Sequence, residues 1–85
     1  MGEVVVSFKV MPTGIDIDLD KLESRLKEAV KRSSVKREPI AFGLFAIRVT
    51  SIMPDAGGEL DKAEAALRAV EGVAEVEVEE VARTL

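Results

Sequence analysis

PIAFGLFAIRV, residues 39–49, lies near the middle of this 85-residue chain and contains two of its three phenylalanines. From residue 44 onward, large apolar side chains recur at alternate positions, which predicts a β-strand with one buried face. The buried face would carry Phe45, Ile47, Val49 and Met53. The Phe42-Gly43 pair before this strand predicts a tight connection from a preceding strand, because glycine accepts dihedral angles that other residues avoid.

Phe42 has two interpretations at this position. It can be a core or loop-covering aromatic, which is the usual place of a large apolar side chain, or it can be an exposed contact for a partner. The pattern of residues leaves both interpretations open.

The composition excludes several kinds of site. The chain has 12 basic and 16 acidic residues, and its net charge of -4 works against nonspecific attraction to the phosphates of nucleic acid. It has no cysteine and no histidine, which excludes zinc sites built from them, thiol nucleophiles, disulfides and imidazole bases. Carboxylates and lysines alone rarely make an enzyme, so we expect no catalytic residue, no metal site and no cofactor.

The length predicts a single small domain over residues 1–85, large enough for two layers around one core. The beginning of the chain, Met1-Gly2-Glu3-Val4, lacks the basic segment of a signal peptide, and no apolar run reaches membrane-spanning length. We therefore expect a cytoplasmic protein without membrane contact.

Two strands are predicted in the first half. Residues 3–11 form the first strand, which ends at Pro12-Thr13-Gly14. Its apolar face consists of Val4, Val6, Phe8 and Val10. Residues 35–42 form the second strand, and we place it at an edge of the sheet because Pro39 lacks the amide hydrogen that an inner strand needs.

A helix is predicted between these strands. It begins near residues 19–21, with Asp20 as the N-cap and Glu23 at the third helical position, and it ends at Ser33-Ser34. Apolar residues recur at helical spacing and form a stripe that faces the sheet. The stripe consists of Leu19, Leu22, Leu26, Ala29 and Val30.

The second half repeats this order of elements. Residues 53–58 predict a turn, and a second apolar helical stripe follows and ends at Glu71-Gly72. This stripe consists of Leu60, Ala63, Leu67 and Val70. The last strand, 73–80, alternates between apolar and acidic residues, and its glutamates are expected on a solvated face opposite Lys9, where charge pairing is modestly favourable.

The two halves also match residue by residue. Val10-Met11-Pro12 corresponds to Ile52-Met53-Pro54, and LDKLE at 19–23 corresponds to LDKAE at 60–64. Duplicated and interleaved βαβ units with right-handed crossovers predict a four-stranded antiparallel sheet of order 4-1-3-2 with two helices on one face. The predicted fold is α+β, the ferredoxin-like βαββαβ plait, which hosts many unrelated functions.

Particular residues reduce the number of functions that a chain with this fold could have. An RNA-recognition module needs exposed aromatics on the central strands, where this chain has Val5, Ala46 and Thr50. Gly57-Gly58 before the second helix fits a turn better than a phosphate site, because Asp55 and other acidic residues surround it. A small-molecule-sensing or oligomerising regulatory domain stays open as the alternative function, with the edge strand near 35–40 as its pairing surface.

Four segments taken together resemble a known family. They are Val10-Met11-Pro12, DLDKLE at 18–23, PIAFGL at 39–44 and the short acidic final strand. Over essentially the whole chain, and in this order, they resemble the beta subunit of translation elongation factor 1 in its compact archaeal form. They also resemble the C-terminal exchange domain of the eukaryotic beta subunit, where a similar Pro-x-x-aromatic-Gly segment precedes a central strand.

The resemblance implies guanine-nucleotide exchange on the GTPase that delivers aminoacyl-tRNA to the ribosome, by binding and without covalent chemistry. It implies that the aromatic of the Phe-Gly segment, here Phe42 with Gly43, docks into an apolar pocket of the GTPase. It also implies that the C-terminal end, here Arg83, Thr84 and Leu85, approaches the magnesium ion and switch region. The expected partner is this GTPase, the alpha subunit of elongation factor 1, and the free chain is expected to be a monomer.

One position departs from the eukaryotic pattern. The eukaryotic domain has a lysine next to its last residue, whereas this chain has Thr84 there and Arg83 one position earlier. A guanidinium is larger and planar, and from the shifted register it need not reach the same point. The sequence therefore leaves open whether Arg83 displaces magnesium or whether the chain disturbs the nucleotide site in a different way.

Overall fold

The structure, a computed structural model, describes residues 2–55 and 57–83. The elements follow in the order β1 (Glu3–Pro12), α1 (Leu19–Ala29), β2 (Ser33–Ala41), β3 (Leu44–Pro54), α2 (Glu59–Arg68) and β4 (Val73–Arg83). The strands form one antiparallel sheet of order β2-β3-β1-β4. This is the predicted order 4-1-3-2 read from the opposite edge, and it confirms the ferredoxin-like plait.

The core lies between the helices and one face of the sheet. In β1 and β3, residues at alternate positions are buried on this face, and Phe8 lies opposite Val49 in the register. The helices contribute Leu22, Leu26 and Leu67, which are fully buried. Each such side chain stabilises the fold by roughly 1.5–3 kcal/mol relative to exposure. The predicted apolar strand faces and helical stripes are confirmed, with the exception of Phe45 at the beginning of β3.

The N-cap of α1 corrects the prediction. Asp18 has an extended backbone, and its carboxylate accepts a hydrogen bond from the Lys21 amide at 3.2 Å. Asp20, the predicted cap, already lies inside the helix. A capping residue must have a non-helical backbone so that its side chain can turn back to the first amides, and only Asp18 meets this condition here.

The C-terminal end of α1 lies earlier than predicted. The helix ends at Ala29, and Val30 returns to an extended backbone while its side chain stays in the core. Arg32 then takes a positive φ of 55° and reverses the chain. The predicted end at Ser33-Ser34 is wrong, because these serines are already the first residues of β2. Burial of Val30 against the sheet is a tertiary contact, and it stabilises the extended backbone at this position more than a longer helix would.

The elements of the second half also differ at their ends. β3 continues through Met53 and Pro54, which pair with the beginning of β1, so the turn predicted from residue 53 begins later. α2 ends at Arg68, before the predicted Glu71-Gly72. Pairing with β1 extends the end of β3, and a short turn follows the earlier end of α2. Both boundaries differ from the prediction by a few residues, as is usual for element ends.

β4 is longer than the predicted 73–80 and contains a bulge. Glu80 pairs with Ser7 and Val78 pairs with Phe8, which leaves Glu79 as an extra residue between them. The extra residue shifts the alternation of side chains, which a strict period of two does not anticipate. Lys9 pairs in register with Glu77, so the expected cross-strand charge neighbours are present on the face without helices.

Pro39 lies where the sequence predicts. β2 is an edge strand, and its register with β3 shifts between Pro39 and Ala41. An edge position and an irregularity both remove the need for a proline amide. Neither helix in the described part of the chain is long and apolar enough to cross a membrane.

Candidate functional site

The β2–β3 hairpin closes through two residues, Phe42 and Gly43. β2 ends at Ala41 and β3 begins at Leu44. Both loop residues have positive φ, 53° for Phe42 and 78° for Gly43, as in a type I′ turn. This turn suits the twist of a hairpin, and it confirms the predicted tight connection. Glycine adopts such angles freely, whereas a phenylalanine is strained there.

The side chain of Phe42 is 100% exposed. The core interpretation of this residue is therefore wrong. Its ring contributes no burial to this chain, and its backbone adopts an unfavourable conformation. Residues with a strained backbone are concentrated at functional sites, where the function of the residue can offset its cost to stability. The exposure and the strain of Phe42 together favour a contact with another molecule.

The residues around Phe42 make the hairpin tip, residues 40–45, an apolar projection. Ile40 is exposed, and Leu44 and Phe45 are only half-buried. Phe45 therefore does not belong to the core, in contrast to the prediction. The physical reason is its position, because the pairing of β3 with β1 extends only as far as Ile47. The hairpin tip lies past that point.

Two charged residues of β2 form ion pairs near the base of the hairpin, Arg37 on the helix-covered side with α1 and Glu38 on the open side with β3. Arg37 donates its Nε–H to Glu23 Oε2 at 3.0 Å and also pairs with Asp20. The hydrogen bond with Glu23, followed by that with Asp20, raises the pKa of Arg37 above its ordinary value. Glu38 Oε1 lies 2.8 Å from Arg48 Nε on the open face.

Sequence reasoning missed these ion pairs. One signal for the first is that Asp20 and Glu23 are three residues apart, which places two carboxylates on one face of α1. The cation that meets them comes from another element, however. Its identity depends on the packing of α1 against β2.

Arg83 is the last described residue and ends β4. Its side chain is 75% exposed, and its guanidinium forms an ion pair with Asp55, the residue after β3. The predicted contact residues Thr84 and Leu85 lie outside the described residues. Of the three predicted C-terminal contact residues, the structure therefore describes Arg83.

The structure places Phe42 and Arg83 at opposite ends of the sheet. Phe42 precedes the first residue of β3, whereas Arg83 pairs with Val4, which pairs with Met53 near the end of β3. A strand rises about 3.4 Å per residue, so the length of β3 separates the two sites by about 30 Å. The longest dimension of the molecule is 42 Å. The predicted contact residues that the structure describes, Phe42 with Gly43 and Arg83, therefore form two separate patches.

The described acidic residues form no group of three or more that is arranged to hold a metal ion. The glutamates of β4 lie along one strand, and Glu79 is engaged by Arg48, whose Nη2 lies 3.2 Å from Glu79 Oε1. An open row of carboxylates does not surround a cation. The two patches present the exposed ring of Phe42 at one end of the sheet and the guanidinium of Arg83 at the other. Both groups are suited to binding another molecule.

Comparison with known proteins assigns the chain to a family. A family model described as the EF-1 guanine nucleotide exchange domain matches residues 5–84, which include both the hairpin and the end of β4. Elongation factor 1-beta from Methanoregula boonei is 48% identical over 82 residues, covering 95% of this chain and 96% of that protein. The protein of the same name from Natronomonas pharaonis is 46% identical over 87 residues, covering 98% and 99%.

A third relative extends the match to full length. Elongation factor 1-beta from Methanothermobacter thermautotrophicus is 39% identical over 89 residues, covering 100% of both chains. A family model that spans most of the chain and relatives that match it over nearly their whole length lead to the same assignment. The chain belongs to the family of EF-1 guanine nucleotide exchange domains.

Proposed function

We propose that this chain accelerates the release of GDP from the translation elongation GTPase that delivers aminoacyl-tRNA to the ribosome, and thereby allows GTP to bind. Membership of the exchange-domain family supports this function. The proposed mode of binding rests on one observation, which is that Phe42 is a fully exposed aromatic in a strained turn. The chain acts by binding and breaks no covalent bond.

The thermodynamics of such an exchange factor follow from linkage. A protein that binds the nucleotide-free GTPase more tightly than the GDP complex must weaken GDP binding by the same factor. The exchange factor therefore needs surfaces that engage the partner firmly. It needs no acid, base or nucleophile.

Phe42 is proposed as the first of these surfaces, together with Gly43. A phenylalanine ring that enters an apolar pocket of the GTPase leaves water almost completely, and residues of this kind often dominate the energy of an interface. The ring is open to a partner, because it is fully exposed in the turn of the hairpin. Gly43 contributes the backbone conformation that keeps the turn short.

The end of β4 is proposed as the second surface. Arg83, followed by Thr84 and Leu85, would approach the region where the GTPase holds magnesium, since this ion neutralises the phosphates of the nucleotide. A guanidinium there competes electrostatically with the cation. The sheet joins the two surfaces at a separation of about 30 Å, estimated from the rise per residue of β3. A rigid sheet can then hold two distant parts of the GTPase in one relative position.

We also propose that residues 1–85 act as one domain and as a monomer when free. The two edge strands are poor templates for a second copy. β2 carries Pro39 and a register shift, and β4 carries four glutamates within residues 75–80. Prolines, irregular pairing and like charges all oppose the addition of another strand. This weighs against the oligomerising alternative, which predicts pairing through β2.

The test is the release of fluorescent GDP from the cognate GTPase, followed by stopped flow over a range of factor concentrations. Phe42→Ala should raise the half-saturating concentration at least about tenfold, the effect of removing an interface residue that contributes strongly. Circular dichroism should show an unchanged fold. Ile15→Ala is the matched control, because Ile15 is another strongly exposed large apolar residue, at 72%.

Two results would overturn parts of this proposal. If excess wild-type chain leaves the release rate unchanged, the exchange function is wrong. If the chain accelerates release and Phe42→Ala does so equally well, the function stands and the proposed contact of Phe42 is wrong.

A further inference from the structure

The tip of the β2–β3 hairpin, which carries Phe42, extends beyond the strand pairing that joins β3 to β1. The pairing of β1 with β3 ends at the pair Val10 and Ile47, so the hairpin tip continues as two strands alone. A two-stranded ribbon is at best marginally stable in water. The register shift between Pro39 and Ala41 also interrupts its ladder. The direction of Phe42 therefore depends on what holds the base of the hairpin.

Arg37 makes the attachment on the helix side. It pairs with Ile47 in the register, at the level where the support from β1 ends. Its Nε lies 3.0 Å and its Nη2 3.4 Å from the two carboxylate oxygens of Glu23, and Nη2 also pairs with Asp20. The planar, forked guanidinium is suited to such a set of oxygens, and a lysine ammonium cannot reproduce it.

Glu38, the next residue, joins β2 to β3 within the hairpin on the open face. It pairs with Arg48, which also reaches Glu79 of β4. Successive residues of a strand point to opposite faces, so Arg37 and Glu38 form their ion pairs on opposite sides of the hairpin base. Of the two, Arg37 is the one that joins β2 to a different layer of the fold, the helix α1.

We infer that Arg37 is a positioning residue for nucleotide exchange, because its contacts with Asp20 and Glu23 fix the hairpin on α1 and so present Phe42 to the GTPase in one direction. The inference rests on the proposed function of Phe42. Exposed ion pairs add little to global stability, but ordering a contact residue before binding lowers the entropy lost in the complex. Arg37 thus acts on affinity through Phe42.

Arg37→Gln tests this role in the full-length chain with the GDP-release assay. The half-saturating concentration should rise roughly two- to fivefold, the range that an exposed ion pair supports, and the maximal rate should not change. The variant should also lower the ¹⁵N order parameters of the Phe42 and Gly43 amides, which report motion on the picosecond to nanosecond timescale. Arg68→Gln is the matched control, because Arg68 also pairs with a glutamate, Glu64, but lies on α2.

A double-mutant cycle separates positioning from a general structural effect. In the Phe42→Ala background, Arg37→Gln should cause no further rise in the half-saturating concentration, because the residue that it positions is absent. An equal effect in both backgrounds would overturn the inference, and so would unchanged order parameters. If Phe42→Ala itself leaves exchange unchanged while Arg37→Gln still lowers hairpin order, the proposed Phe42 contact fails and the attachment of the hairpin is confirmed.

Discussion

Arg83 and Asp55 form an ion pair that connects the ends of β4 and β3 across the beginning of β1. The Asp55 amide also donates a hydrogen bond to the Gly2 carbonyl at 3.0 Å. Three strand ends are thus joined at the point where the chain is proposed to meet the magnesium region of its partner. In the free chain, the guanidinium of Arg83 is already engaged by a carboxylate.

Asp55→Asn is expected to improve exchange, because Arg83 no longer has to leave a carboxylate before it reaches the GTPase. The half-saturating concentration should fall by up to about fivefold, the upper range for an exposed ion pair. Arg83→Ala should have the opposite effect and make release more sensitive to added magnesium. Fluorescent GDP release at several magnesium concentrations measures both. If Asp55→Asn weakens exchange as Arg83→Ala does, the pair instead holds the end of β4 in its active position.

Phe42→Asn should separate stability from function. Asparagine tolerates positive φ and is preferred before glycine in type I′ turns, so the variant should be more stable than the wild type by about 1 kcal/mol. Exchange should fall as it does in Phe42→Ala, because both variants lack the ring. Urea unfolding monitored by circular dichroism gives the first quantity and GDP release the second. A variant that loses stability would show that the turn holds Phe42 without strain.

Asp18→Ala should destabilise the protein by about 1 kcal/mol, the typical effect of removing an N-cap side chain. Asp20→Ala should cost less, because Asp20 lies inside α1 and its pair with Arg37 is exposed. Urea midpoints of the two variants make the comparison. Equal midpoints, or a larger loss for Asp20→Ala, would return the capping role to Asp20.

Phe8→Ala should destabilise the protein by about 3–5 kcal/mol, since the ring is fully buried between the sheet and the helices. This is a large part of the stability of a small domain, which is marginal. Val81→Ala is the comparison, because Val81 is a strand residue that is 52% exposed, and its loss should be much smaller. Urea unfolding curves of both variants test the assignment, and a mild effect of Phe8→Ala would contradict it.

The sheet order and the core were predictable because they depend on repeated local patterns. Alternating apolar residues such as Val4, Val6 and Phe8 reveal a half-buried strand in any sequence context, and the duplicated order of elements leaves few topologies. The edge position of Pro39 was predictable for the same kind of reason. A missing amide hydrogen is a local property.

The element ends and the exposure of Phe45 were less predictable. Asp18 and Asp20 are equally good caps by composition, and the choice between them depends on where the incoming loop turns. Phe45 continues the apolar alternation of Ile47 and Val49, yet the pairing of β3 with β1 ends at Ile47, two residues short of it. Each of these outcomes is decided by a neighbour that is distant in the chain.

The sequence by itself determined the plait, most of its core, the tight connection at Phe42-Gly43 and the resemblance that led to the family. Only the tertiary structure decided that Phe42 is fully exposed, that Arg37 attaches its hairpin to α1, and that Arg83 lies at the opposite end of the sheet. The physical reason is the range of the interactions. Backbone propensity and side-chain periodicity act between near neighbours in the chain, whereas burial, ion pairs and distances between sites exist only once separate segments are packed together.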